Sequence, residues 1–70
     1  MNKDISTIVK SRRESIGMSK RVLSEKSGVS RATILLVEER GVQPMFSNGV
    51  AMLESMGLEV IIRPKKRHHA

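Results

Sequence analysis

Hydrophobic residues recur along this chain first at helical spacing and then, near its end, at alternate positions. Ile5, Ile8, Val9, Arg12 and Ile16 fall on one stripe, which predicts a first helix over residues 4–15, stopped by Gly17 as a left-handed cap. Ser19 is a good N-cap for a second helix over residues 20–27, with Val22, Leu23 and Lys26 spaced along it and Gly28 at its end. Ser30 then caps a third helix, over residues 30–38, that carries Ile34, Val37 and Glu38.

Only Gly28 and Val29 separate the second helix from the cap of the third, so the two must cross steeply, as in a helix-turn-helix. Residues 41–44 read as a loop, because Pro44 biases its predecessor away from helix. A fourth helix is predicted over residues 46–56, with Phe46, Val50, Leu53 and Met56 inward and Gly57 as its stop. Gly49 lies inside it at a cost of about 1 kcal/mol relative to Ala. Either another backbone approaches closely there, or Asn48-Gly49 is a turn and the helix starts later; the helix is the preferred reading.

From Leu58 to Arg63 the period becomes two. Leu58, Val60 and Ile62 point one way, Glu59, Ile61 and Arg63 the other, and Pro64 ends the run. A lone strand has two open edges, and the chain contains no second strand pattern. Its partner is expected from another copy, as an antiparallel two-stranded ribbon across a twofold axis with Leu58, Val60, Ile61 and Ile62 as dimerising residues. The alternative is an extended tail lying on the core. The fold class expected is mostly α: four helices and one C-terminal strand in a single domain, 1–63, followed by a basic, disordered tail, 64–70.

Composition narrows the partner. Seventy residues make a small core, and with no cysteine to staple it, oligomerisation is the expected support. The formal charge is +6, unevenly spread. Residues 10–31 hold seven basic side chains against two acidic, residues 32–62 one against four, and the tail four against none. Such a balance points to nucleic acid on one face and protein on the other. Phe46 is the only aromatic, so no stacking platform for single strands can be built. The longest apolar stretch, Ile34 to Val37, is far short of a membrane span, and the start lacks the apolar core of a signal peptide. A small, soluble, cytoplasmic protein with no membrane partner is expected. An enzyme is hard to build: both histidines lie in the tail, the only aspartate is Asp4, and the glutamates are scattered. No phosphate loop and no metal-ligand cluster occurs, so no cofactor or metal is implied. Binding remains.

The stretch from Ile16 to Glu38 resembles the helix-turn-helix of the Cro/CI-like (XRE) DNA-binding family. Ser19, Leu23, Gly28, Val29, Ser30, Ile34, Glu38 and Gly41 stand at that family's places, and Pro44 with Gly57 matches its fourth helix. The resemblance covers about residues 3–57, and the strand after it is similar to the dimerising strand of HipB- and HigA-type antitoxin relatives. It implies that the third helix enters the major groove while the second crosses the backbone. Carried over by position, Arg31 and Ala32 face bases, with Leu36 one turn on. Arg31 would take guanine O6 and N7, and Ala32 and Leu36 thymine methyls. Ser19, Ser30 and Thr33 would donate to phosphate, and Lys20, where the family has glutamine, would bind it as a point charge. Arg21 and Arg40 are further phosphate candidates. Arg13 and Glu38 occupy the places of a family salt bridge; the alternative for Arg13 is a phosphate contact. Three departures stand out: Leu35 and Leu36 make the recognition helix unusually apolar, Glu39-Arg40 adds one residue before Gly41, and Ser24 stands where the family has alanine after Leu23.

The expected function is a homodimeric, sequence-specific repressor of its own operon, bound to a palindromic operator. The alternative is an antitoxin that neutralises another protein and represses its operon, or a phage or mobile-element regulator of anti-defence genes.

Overall fold

A helix can start only where its first free backbone N–H groups find acceptors, and this chain supplies three short polar side chains for that purpose. In the computed structural model, which describes residues 4–65, α1 spans Ile5–Ser15, α2 Lys20–Ser27, α3 Arg31–Arg40 and α4 Phe46–Ser55. Asp4 Oδ1 accepts from the Thr7 N–H at 3.0 Å, Ser19 Oγ from Val22 at 3.1 Å and Ser30 Oγ from Thr33 at 3.1 Å. Between α2 and α3, Gly28 takes φ +76°, a left-handed conformation that a side chain would strain, and Val29 plugs into the core at 4% exposure. That is the tight turn the sequence predicts.

The ends of α1 and α4 close alike. Gly17 and Met18 return their N–H groups to Glu14 and Arg13, and Gly57 and Leu58 return theirs to Glu54 and Leu53. The end of α3 is one residue wider, with Val42 N–H reaching the Leu36 carbonyl at 3.1 Å.

α2 packs on α4 and α3, while α1 packs on α3 and α4. Their shared core is Val9, Leu23, Val29, Ile34, Val37, Met52 and Met56. Two adjacent arginines in the last turn of α1 tie the helices together. Arg12 Nε donates to the Met56 carbonyl at 2.9 Å, placing a cation at the C-terminal end of α4. Arg13 forks onto Glu38, with Nε to Oε2 at 2.8 Å and Nη2 to Oε1 at 2.9 Å, and its Nη1 donates to the Met18 carbonyl at 2.9 Å. The hydrogen-bonded Glu38 carboxylate raises the Arg13 pKa above its ordinary value, outweighing the opposite effect of burial. The structure thus has Arg13 in the pair with Glu38 rather than facing outward.

Three expectations need correction. Ile16, assigned to the buried stripe of α1, is 40% exposed, because the helix has ended and the chain is turning through Gly17. Phe46, expected inward, is 67% exposed, while Val50 and Leu53 are only half-buried. The inner face of α4 runs instead through Gly49, Met52 and Met56. Gly49 draws that face inward because it has no side chain: a Cβ there would lie 3.0 Å from Ile5 Cδ1. The helix runs through Gly49, and what approaches it closely is a side chain of α1.

Third, no strand forms among the described residues, and residues 58–65 are neither helix nor sheet. A ladder requires a second strand, which one chain does not contain. Alternation persists for four positions, with Leu58 and Val60 half-buried and Glu59 and Ile61 exposed, then fails at Ile62, 75% exposed. Of the tail expected to be disordered, residues 66–70 lie outside the described residues. No helix among the described residues is long and apolar enough to cross a membrane.

Two stability measurements test this packing. Glu38→Ala should cost about 3–5 kcal/mol in urea unfolding, because it leaves a buried guanidinium unpaired, whereas Arg13→Met with Glu38→Leu should recover most of that loss. Gly49→Ala exchanges about 1 kcal/mol of helix propensity against displacement of Ile5 Cδ1. In an Ile5→Val background, which removes that methyl, the same substitution should be more stabilising, a coupling read from a double-mutant cycle.

Candidate nucleic-acid interface

α3 is held by one face and open on the other. Ile34, Val37 and Glu38 are buried and Ala32, Leu35 and Leu36 are exposed on the other side of the helix, while Arg31, seven residues before Glu38, is exposed at the N-terminal end. The three residues carried over as base contacts, Arg31, Ala32 and Leu36, are all exposed on the surface of the first turn and a half of α3. Leu35, 49% exposed, lies between Arg31 and Leu36 on it.

Ser19 and Ser30 sit exposed at the N-termini of α2 and α3, where free backbone N–H groups and the helix dipole favour an anion. Their hydroxyls are partly committed. Ser30 Oγ accepts from the Thr33 N–H and also donates to Thr33 Oγ1 at 2.9 Å. That leaves the Thr33 hydroxyl with its own proton to offer, so the Ser30–Thr33 pair acts as one donor. Lys20 is half-buried in the first turn of α2. Arg40 is exposed at the opposite end of α3, about 14 Å along the axis from Arg31, so the structure does not bring it to the N-terminal cluster.

Ion pairing sharpens the charge asymmetry. α2 and α3 carry three carboxylates, and each already has a cation. Glu38 is buried on Arg13, Glu39 reaches Lys10 at 3.5 Å, and Glu25 takes Arg21 at 2.9 Å. Among the described residues, Lys20, Lys26, Arg31 and Arg40 have no carboxylate within ion-pair distance. Arg21 differs from its expected role in being paired, yet both partners are over half exposed, so the pair contributes little and an anion could displace it. Its i,i+4 spacing to Glu25 was visible in the sequence. The bond from Arg12 to Met56 was not, because it joins residues 44 apart.

A cap and an anion seat make different demands at Ser30. Ser30→Ala should cost about 1 kcal/mol in thermal unfolding, and Ser30→Asp should restore that stability while placing a negative charge at the tip of α3. Compared with protein-family models, with curated proteins and with solved structures, the chain matches none.

Proposed function

We propose that this chain is a sequence-specific double-stranded DNA-binding repressor, a homodimer that controls its own operon through a palindromic operator. The observation that carries the reading is the arrangement of α3: a buried ion pair fixes its inner face, and its capped N-terminal end exposes an uncompensated arginine. A rigid helix with one exposed face and an N-terminal cation fits the major groove. The resemblance of residues 16–38 to the Cro/CI-like (XRE) helix-turn-helix supports the same orientation.

In this reading Arg31 contacts guanine, Ala32 and Leu36 meet thymine methyls, and Lys20, Ser19 and the Ser30–Thr33 pair hold phosphate. Arg21 joins the phosphate contacts by exchanging Glu25 for the backbone, and Arg40 contributes electrostatically from the far end of α3. The C-terminal segment around Leu58, Val60, Ile61 and Ile62 joins two copies, so that two α3 helices meet half-sites about 10 base pairs apart.

Fluorescence anisotropy at physiological salt, with the duplex upstream of the gene and a scrambled competitor, tests the reading. A preference of about a thousandfold is expected, and equal salt-sensitive binding to both duplexes would overturn it. Arg31→Ala should weaken specific binding by about 1–3 kcal/mol and relax discrimination at one position per half-site, whereas Lys20→Ala should weaken all duplexes alike and lower the salt slope by about one.

A further inference from the structure

An apolar groove of about 260 Å³ lies between the start of α1, the 43–46 turn and α4. Ile5, Pro44, Phe46, Val50, Leu53 and Val60 form its walls. Phe46 stands at its rim with two-thirds of its surface in water, and the neighbouring Met45 is 71% exposed. Val60 closes one side, and immediately after it the chain leaves the domain with Ile61 and Ile62 exposed at 57% and 75%. An open apolar groove beside two consecutive exposed isoleucines is surface that a monomer in water has reason to cover.

We propose that this groove seats Ile61 and Ile62 of a second copy of the chain, so that two copies exchange C-terminal segments. The inference rests on the homodimer in the function proposed above and is independent of its DNA contacts.

Charge argues for this occupant. Residues 41–60 contain Glu54 and Glu59 and no lysine or arginine, whereas residues 61–67 contain Arg63, Lys65, Lys66 and Arg67 and no carboxylate. The stretch that supplies most of the groove's lining thus carries only negative charge, and the stretch that follows it in the sequence carries only positive charge. The chain's own segment does not turn back, since residues 61–65 are all exposed. A chain that carries both a groove and its complement satisfies both in one twofold contact, because each copy gives and receives the same segment. The partner's segment would then run beside residues 58–60, where their half-buried alternation is already in place for a two-stranded pairing.

The chain contains no cysteine, so thiols can be introduced one at a time. Phe46→Cys protein mixed with Ile62→Cys protein and treated with a short bis-maleimide should give predominantly the mixed 46–62 product. Light scattering should report twice the mass of one chain for wild type. Phe46→Glu, a change at an exposed side chain that should leave helical circular dichroism intact, should raise the dimer dissociation constant about tenfold or more. A dimer that yields only 62–62 product would overturn the groove seat while sparing the homodimer. An intramolecular bridge in the Phe46→Cys/Ile62→Cys double variant would assign the groove to the chain's own tail. A monomer with no 46–62 product would overturn both the exchange and the homodimer and leave the groove to another protein, with the DNA contacts still judged by anisotropy.

Discussion

The rotation of α3 about its own axis depends on a single buried ion pair. Ile34, Leu35, Leu36 and Val37 are consecutive, so hydrophobic burial alone does not say which side of this helix turns inward. Glu38 removes the ambiguity. Its side chain is fully buried, and a carboxylate can be buried only against a cation with its lone pairs satisfied. Arg13 meets that demand with two parallel hydrogen bonds and spends a third on the Met18 carbonyl, where α1 turns into α2. Such a pair adds little net stability over an apolar core of the same shape, and its value here is orientation. With Glu38 inward, Ile34 and Val37 follow it into the core, Ala32, Leu35 and Leu36 are left to face water, and Arg31 is exposed at the N-terminal end of the helix.

Neighbouring residues extend the same logic to the whole domain. Arg12, one position earlier, turns to the C-terminal end of α4, so two adjacent side chains of α1 reach α3, α4 and the turn into α2. Lys10 adds an exposed contact to Glu39. Much of the basic charge of α1 is therefore structural. Of the cations left without carboxylate partners on α2 and α3, the proposed DNA contacts draw on Lys20, Arg31 and Arg40, while the carboxylates of those two helices are already engaged.

The C-terminal half obeys a different constraint. Gly49 lets Ile5 approach α4, and that approach rolls the helix until Met52 is buried and Phe46 is not. The exposed phenylalanine stands beside the groove that Ile5, Gly49 and Pro44 help to line.

The helix boundaries were legible because their signals are local. Asp4, Ser19 and Ser30 cap whatever helix follows them, and Gly17, Gly28 and Gly57 permit turns whose conformation involves only a few neighbouring residues. The pairing of Arg13 with Glu38 was reached through a family resemblance, not through spacing, and the geometry of the fork came only with the fold. Helical periodicity named Phe46, Val50 and Leu53 as inward, yet it could not anticipate that α1 would pack against the one position of α4 without a side chain. Alternation at residues 58–61 marked a segment suited to sheet, but a strand is a property of two paired segments, and one chain supplies only one of them. Sequence alone determined where this protein is helical, because caps and turns act over three or four residues. Which faces those helices present was decided by tertiary structure, because burial and ion pairing join residues far apart in the chain.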